Sequence, residues 1–193
     1  MKRHIVDKID EILILEGKLE PSMLDRVKFA LNFSMRYFFE RLAYFSRSNR
    51  FRVWCYRRMG VNIGKGAFVG NYIIFDRIFP SMVFIGDHTS IGDSTVITAH
   101  ANIPSKTPLK KLYPRSMKKT VIGKGIWIMP NCVVAPGVII GDYSVIATGA
   151  IITKDIPPMV LAGGLPAKVL KDLSPQLKGE IPEEEFNRLK SLQ

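Results

Sequence analysis

The segment Val121–Ile152 reads VIGKGIWIMPNCVVAPGVIIGDYSVIATGAII, and a branched apolar residue returns at every sixth position within it. The positions are Ile122, Ile128, Val134, Ile140, Ile146 and Ile152. Helix faces repeat at about 3.6 residues and strand faces at about 2, so a sustained period of six requires very short strands separated by regular corners. This period is typical of a parallel β-helix built from hexapeptide repeats.

The same spacing occurs earlier in the chain, in two further runs. Their apolar positions are Ile63, Val69 and Phe75, followed by Phe79, Ile85, Ile91, Ile97 and Ile103. A glycine often follows the apolar residue, as at Gly64, Gly86 and Gly123. We expect the apolar side chains to point into a narrow prism and stack from turn to turn. The corners are expected to favour residues that tolerate unusual backbone angles and close approach.

Two breaks interrupt this register. Phe75 and Phe79 are four residues apart, and Ile103 and Ile122 are nineteen apart. Insertions in a solenoid form loops on one face. The second insertion, residues 104–119, carries six basic residues and no acidic one. We therefore expect a solvated, positively charged arm there.

The composition indicates one compact domain with appendages and an anionic partner. The chain has 193 residues, of which 47% are hydrophobic, and a net charge of +11. Residues 26–58 include nine basic residues and one acidic residue, Glu40. A cofactor phosphate, a membrane surface and nucleic acid would each suit this charge. Nucleic acid is not expected, because no recognition motif or interleaved aromatic platform accompanies the charge.

The regions that flank the repeat are predicted to be helical. We assign residues 1–60 to an N-terminal helical cap, 61–165 to the β-helix with its inserted loop 104–119, and 166–193 to a C-terminal tail with a short helix from Pro182. The aromatic N-terminal helices would cover the open end of the prism. The alternative is that this basic segment makes peripheral contact with anionic lipid or helps to hold a lipid-linked acceptor.

The location and redox state follow from two further patterns. We find no signal-peptide pattern and no apolar run of membrane-spanning length, so a cytoplasmic location, including the inner face of the membrane, is expected. Cys55 and Cys132 could form one disulfide, but two free thiols in a reducing compartment are the favoured interpretation. Cys132 falls at an inward position that calls for a small side chain.

His100 is the histidine that best fits a catalytic role. It follows Ile97-Thr98-Ala99 within the repeat and immediately precedes the arm, where it could face a groove. A neutral imidazole in such a groove can take a proton from a hydroxyl group. A surface or corner histidine without a catalytic role is the alternative. His88, in the corner Gly86-Asp87-His88, is expected to be structural.

Three segments resemble one family. They are Ile97–His100, the segment VIIGDYSVIATGAIITKDIP at residues 138–157, and GGLPAKVLK at residues 163–171. Together they resemble hexapeptide-repeat acyltransferases, in particular maltose and galactoside O-acetyltransferases and related polysaccharide O-acetyltransferases. The resemblance implies a left-handed parallel β-helix, an exception to the usual crossover hand. It also implies a homotrimer that binds acetyl-CoA in the grooves between its subunits.

The resemblance also implies roles for individual residues. His100 matches the family's catalytic base. Thr153 and Lys154 match residues that contact the CoA moiety, and Lys168 and Lys171 match basic positions near its nucleotide phosphates. Two further sets are expected near the ligands: Thr148 beside the pantetheine, and Asn71 with Asp76 beside the acceptor.

One departure from the family pattern concerns the oxyanion site. Where relatives often have Trp-Ile-Gly and a small residue, this chain has Trp127-Ile128-Met129-Pro130. In the family, a backbone N–H near the place of Pro130 helps to bind the oxyanion, and proline has no such donor. We expect Asn131 or another amide to replace it, or the thioester to sit differently.

The predicted function is acetyl transfer from acetyl-CoA to a hydroxyl of a saccharide or glycoconjugate, with His100 as general base. An amino-sugar N-acetyltransferase and a non-enzymatic hexapeptide-repeat scaffold are the alternatives. Gamma-class carbonic anhydrases share the fold but bind zinc through three histidines, whereas the repeat holds His88 and His100 alone. No metal is expected.

Overall fold

The computed structural model describes residues 2–18, 20–101 and 107–193, with backbone alone for residues 2–7. The repeats form a parallel β-helix with three faces, each a parallel sheet. The first face contains β1 (Asn62–Ile63), β4 (Val83–Ile85), β9 (Thr120–Ile122) and β12 (Ile139–Ile140). The second contains β2 (Phe68–Val69), β5 (Ser90–Ile91), β10 (Trp127–Ile128) and β13 (Val145–Ile146). The third contains β3 (Ile74–Phe75), β6 (Val96–Ile97), β11 (Val133–Val134) and β14 (Ile151–Ile152).

The predicted inward positions form continuous columns. On the third face, Phe75 pairs with Ile97, Ile97 with Val134 and Val134 with Ile152, and all four side chains are completely buried. Equivalent columns run through the other two faces. The six-residue period is thus confirmed as the spacing of the core.

The predicted period also includes Phe79 and Ile103. Phe79 is buried but does not stack with the strands: it lies in the segment between β3 and β4, so the prediction that it continues the repeat was wrong. The insertion displaces Phe79 from the wall. Ile103 lies outside the described residues.

Close approach and an unusual backbone angle were both expected of the corner residues. In the structure, two different residues of a corner fill these two roles. Glycines directly after the inward residue allow close approach: a Cβ on Gly86 would lie 2.5 Å from the carbonyl carbon of Gly123 in the next turn. The left-handed backbone falls two residues further on, as at His88 (φ 56°), Asn131 (φ 62°) and Gly149 (φ 72°). Tight packing and the change of chain direction therefore constrain different positions.

Helices and a hairpin flank the prism. The helices are α1 (Lys2–Leu15), α2 (Met23–Phe45), α3 (Asn49–Met59), α4 (Leu109–Leu112), α5 (Ser174–Leu177) and α6 (Glu183–Lys190). After β14, the antiparallel pair β15 (Val160–Gly164) and β16 (Ala167–Asp172) extends the second face. Among the described residues, no helix is both long enough and apolar enough to cross a membrane.

Helix α3 closes the N-terminal end of the prism. Its side chains donate hydrogen bonds to carbonyls of the first turn on all three faces. Arg57 binds Ile63 O at 2.9 Å, Arg52 binds Val69 O at 2.8 Å, and the Tyr56 hydroxyl binds Ile73 O at 3.0 Å. These bonds satisfy carbonyls that have no preceding turn to pair with.

Within residues 1–60, these hydrogen bonds to the first turn come from α3. Helix α2 packs on α3 and leaves one apolar face exposed, with Leu31 62% and Phe45 86% accessible. The Ser48 side chain accepts the N-terminal capping hydrogen bond of α3, from the amide of Phe51. The Asn49 side chain instead bridges Ala67 O and Val69 N in the first turn.

The arm is partly anchored rather than free. Residues 104–106 lie outside the described part. Beyond them the chain forms α4 and then β8 (Ser116–Met117), which pairs antiparallel with β7 (His100–Ala101). Lys110 forms an ion pair of 2.7 Å with Glu11 of α1. The described part of the expected solvated arm is largely exposed, and Lys110 additionally binds a carboxylate of a distant helix.

The glycine corners lead to a stability prediction. Gly86→Ala should lower the free energy of unfolding by about 3 kcal/mol, because its Cβ would strike backbone atoms that no rotamer change can move. Gly149→Ala places its Cβ in open space and should cost about 1 kcal/mol, owing to the left-handed backbone alone. Urea unfolding followed by circular dichroism measures both, and equal midpoints would contradict the close-approach explanation.

Candidate functional site

His100 is held by a buried carboxylate at the corner that follows the third face. Its Nδ1 lies 2.5 Å from Oδ2 of Asp76, which occupies the same corner one turn earlier. The ring also packs edge-on against Phe79, with 5.7 Å between centroids. A position and an orientation are thus fixed for the imidazole.

Asp76 uses both of its carboxylate oxygens within the protein. Oδ1 accepts hydrogen bonds from the amides of Ile78 and Phe79, and Oδ2 accepts one from the amide of Ala99 and one from the imidazole Nδ1 of His100. Burial opposes ionisation of Asp76, but the hydrogen bonds from His100, Phe79 and Ala99 outweigh it and hold its pKa below the ordinary value. The group is therefore a carboxylate at neutral pH.

This pairing determines which imidazole nitrogen can act as a base. An ionised carboxylate accepts a hydrogen bond, so Nδ1 of His100 carries a hydrogen and donates this hydrogen bond to Asp76. In the neutral ring, Nε2 then has the lone pair. The arrangement is that of a histidine oriented by an aspartate, which can take a proton from a hydroxyl group at Nε2.

A largely apolar cleft adjoins the His100 ring. Its lining consists of Phe33, Ile74, Phe75, Asp76, Arg77, Ile78, Thr98 and His100. The Thr98 hydroxyl donates to Val134 O at 3.0 Å. Among the residues that the structure describes, the cleft therefore offers few polar groups beyond His100.

Helix α2 braces the wall of this cleft. The fully buried Glu40 accepts a hydrogen bond of 2.8 Å from Arg77, and this bond raises the pKa of the arginine. Arg36 donates to Ile78 O at 2.6 Å. Both contacts hold the inserted segment that carries Asp76, which links the N-terminal helices to the orientation of His100.

Two of the predicted CoA-contacting residues share the His100 corner. Thr153 directly follows the third-face residue Ile152, as Asp76 follows Phe75 and Thr98 follows Ile97. Thr153 and Lys154 are both exposed. The turns rise by about 4.8 Å each, so Thr153 lies about 10 Å from the level of His100, along the same edge.

Other predicted residues lie at a different corner. Asn71, Pro130 and Thr148 each stand two places after a second-face residue, at the corner between the second and third faces. One chain therefore does not bring Asn71 and Thr148 together with His100. Asp76, which was predicted to lie beside Asn71 near the acceptor, is instead buried under His100, so its side chain has no oxygen left for a sugar.

Lys168 and Lys171 lie together on the hairpin. Lys171 is paired with Leu161 and Lys168 with Gly163. Residues three apart in a regular strand point to opposite faces, but a β-bulge between these two pairs brings both lysines to the same face. Residues opposite one another in a sheet share a face, so both lysines project to the outer side of the second face. Two exposed ammonium groups therefore form a basic patch there.

Pro130 lies between two residues whose backbone N–H groups both donate hydrogen bonds within the prism. The neighbouring amides are engaged: Met129 N donates to Ile146 O and Asn131 N donates to Asp93 O, both at 2.9 Å. The expectation that the Asn131 backbone could replace the missing donor is therefore not met, because its N–H already donates to the preceding turn. Its exposed side-chain amide remains at this corner.

The surroundings of His88, Cys55 and Cys132 indicate structural roles for these residues. His88 packs over Gly66 in a left-handed corner. Cys55 and Cys132 are buried free thiols, and burial raises the pKa of both. Across residues 2–18, 20–101 and 107–193, no three histidine, cysteine or acidic side chains come together as metal ligands.

Sequence reasoning missed the contacts that brace His100. Glu40, Arg36 and Arg77 are distant from it in sequence, and no local motif marks them. A signal did exist for Asp76, because this charged residue follows an inward phenylalanine at a position where an uncharged residue (glycine, threonine, alanine or methionine) stands in the other described turns.

Comparisons with known proteins agree with this architecture. Residues 119–154 match the family model described as bacterial transferase hexapeptide (six repeats). The galactoside O-acetyltransferase of Escherichia coli K12 is 33% identical over 135 residues, which cover 61% of this chain and 66% of that protein, just under two thirds. The resemblance to hexapeptide-repeat acyltransferases is thereby confirmed.

Solved structures show the same fold. A hexapeptide-repeat acetyltransferase from Vibrio cholerae, complexed with acetyl-CoA, aligns with a TM-score of 0.59 and 24% identity over 75% of this chain and 88% of that chain. A maltose O-acetyltransferase from Clostridium difficile 630 aligns with a TM-score of 0.60 and 22% identity over the same shares. These alignments imply the left-handed sense that the family resemblance predicted.

The buried Asp76 carboxylate leads to a prediction on pH and stability. Its pKa is lower in the folded state than its ordinary value of 3.8, so its stabilising effect is complete above that value and is lost as the pH falls through the folded pKa. Asp76→Asn should lower the free energy of unfolding near neutral pH by about 2–3 kcal/mol and flatten its decline in acid.

Urea unfolding from neutrality down to about pH 3 measures this effect. Glu184→Gln, an exposed substitution on α6, serves as the control and should leave the acid decline unchanged. The assignment fails if wild type and Asp76→Asn lose stability in parallel.

Proposed function

We propose that this chain, a hexapeptide-repeat protein related to galactoside O-acetyltransferases, transfers an acetyl group from acetyl-CoA to a hydroxyl of a saccharide or glycoconjugate. The observation that carries the proposal is the pairing of His100 with Asp76 beside an open cleft. A scaffold subunit has no need of a buried carboxylate that orients an accessible imidazole. The acyltransferase class and the use of acetyl-CoA also agree with the relatives described above.

The dyad accounts for proton transfer in both directions. Nε2 of His100 takes the proton of the acceptor hydroxyl while its oxygen attacks the thioester carbonyl carbon. The C–S bond of the resulting tetrahedral intermediate then breaks, and the imidazolium returns the proton to the departing CoA sulfur. Asp76 stabilises the imidazolium between these steps and keeps the ring in one tautomer. No covalent acyl-enzyme is formed.

Four cationic or hydroxyl side chains are proposed to hold the donor. Thr153 and Lys154 lie on the His100 edge, and Lys168 and Lys171 form the patch beyond it. Ammonium groups attract the phosphates of CoA at a partly exposed site. In this arrangement the thioester lies toward His100 and the nucleotide toward the hairpin.

A homotrimer would complete the site. His100 and Thr153 occupy one corner of the prism, whereas Asn71 and Thr148 occupy another. When copies pack around a threefold axis, one corner of each can face a different corner of its neighbour. We therefore assign Asn71 to the acceptor and Thr148 to the pantetheine in a groove shared by two subunits, with the Asn131 side chain as the donor to the oxyanion.

An amino-sugar N-acetyltransferase is the second candidate, because the same dyad can take a proton from an ammonium or amine acceptor. The two products differ in chemical stability. Hydroxylamine cleaves an acetyl ester and leaves an acetamide intact, so treatment of the product distinguishes them.

The first functional prediction concerns His100. His100→Ala should lower kcat for acetyl transfer by about 10²–10⁴-fold, because the acceptor hydroxyl loses its base. Binding of acetyl-CoA, measured by calorimetry, should persist. Thiol release with a panel of saccharide acceptors gives the rate.

His88→Asn is the matched control, since asparagine tolerates the left-handed backbone at that corner. It should retain wild-type turnover. Equal turnover by wild type and His100→Ala would exclude His100 as the base.

The second functional prediction concerns the hairpin lysines. Replacing Lys168 and Lys171 with alanine should weaken acetyl-CoA binding by about fivefold for each lysine, and the loss should shrink as salt is added. Lys178→Ala, an exposed lysine beyond the hairpin, is the control and should leave affinity unchanged. Unchanged affinity in the double variant would rule out the phosphate assignment.

A further inference from the structure

Helix α2 exposes a continuous apolar stripe that no described part of the chain covers. Leu24, Leu31, Phe38 and Phe45 recur at intervals of seven and are 61%, 62%, 52% and 86% accessible. Val27 and Met35 lie between them and are also exposed. Side chains at this spacing form one face of a helix. An exposed apolar surface of this extent marks an interaction site.

The edges of this stripe are basic. Lys28 lies one helical turn from both Leu24 and Leu31, and Arg41 lies one turn from both Phe38 and Phe45. Both are exposed, and within the described part of the chain neither pairs with a carboxylate. The acidic residues of this helix, Asp25 and Glu40, are turned away: Asp25 binds Ser22 and Lys18, and Glu40 is buried against Arg77.

Aromatic residues continue the surface onto α3. Phe38 contacts Phe39, Phe39 contacts Trp54, and Trp54 stacks on Phe51, with 5.5–5.6 Å between neighbouring centroids. Phe51 and Trp54 are 42% and 43% accessible. Arg58 lies over the Trp54 ring, and the exposed Arg47 and Arg50 lie nearby in sequence. Exposed aromatic rings bordered by arginines suit the headgroup region of a bilayer.

We infer that this face of α2 and α3 rests on an anionic membrane surface. The apolar stripe would enter the boundary between headgroups and acyl chains, and the basic border would meet lipid phosphates. The charge pattern favours lipid over a second copy of the chain. The exposed charges along α2 and α3 include Lys28, Arg41, Arg47, Arg50 and Arg58, whereas Glu40 is buried, so two copies face to face would bring like charges together.

Co-sedimentation of the full chain with vesicles tests this inference. Phosphatidylcholine vesicles that contain phosphatidylglycerol should bind the protein, and binding should weaken with salt and on vesicles of phosphatidylcholine alone. Leu31→Glu combined with Phe38→Glu should reduce binding by about tenfold or more. Lys28→Gln combined with Arg41→Gln should reduce it by about fivefold for each charge, and only at low salt.

Leu192→Glu is the matched control, because this leucine is 61% accessible at the other end of the molecule. It should bind vesicles like wild type, and far-UV circular dichroism should show that every variant is folded. The inference is overturned if wild type binds no vesicles or if the stripe variants bind as it does. It is also overturned if these variants lower the mass in light scattering without affecting vesicle binding, because the face would then join copies of the chain. Vesicle binding requires no acetyl transfer, so a failure of the proposed function would leave this result independent.

Discussion

The narrow interior of the β-helix is the constraint on which the rest of the structure depends. Each face contributes one inward side chain per turn, and those of the third face are completely buried against their equivalents above and below. The turns are about 4.8 Å apart, and a polar side chain buried between them without a partner costs free energy. Chemistry is therefore confined to corners, insertions and ends, where side chains can reach solvent.

The site follows from where the wall is interrupted. The segment after Phe75 and the segment after Ile97 both leave the prism at the corner that follows the third face, on successive turns. Stacking of Phe75 on Ile97 consequently brings Asp76 beneath His100. The register of a buried column thus sets the distance between a base and the carboxylate that orients it. A shift of register at this column would separate them, although neither residue would change.

The ends of the prism have a different physical role. Backbone groups of the first turn lack a preceding turn, and α3 supplies donors to all three faces through Arg52, Tyr56 and Arg57. Helix α2 then packs on α3 and braces the cleft through Arg36 and Glu40. Its opposite face remains apolar and exposed. One helix therefore joins the orientation of the base to the surface that we infer to meet lipid.

The sequence by itself determined the wall, the places where the wall is interrupted, and the identity of the candidate base. A six-residue period is a local pattern, and the residue that carries it is buried in each strand of the three faces from β1 to β14. The sequence also predicted the helices on both sides, because caps and apolar spacing are local signals. It could not predict that Ser48 rather than Asn49 caps α3. The Asn49 side chain instead forms hydrogen bonds with Ala67 and Val69 in the first turn of the prism, which are distant in sequence.

Only the tertiary structure decided how the candidate residues are grouped. Asp76 was expected beside the acceptor, and the stacking of turns instead buries it under His100. Asn71 and Thr148 fall at another corner. Residues that are only a few places apart in the sequence, such as Asn71 and Asp76, can follow different faces of the prism. Glu40 and Arg77 meet across 37 residues of chain. Such contacts depend on the packing of whole elements, and no local spacing encodes them.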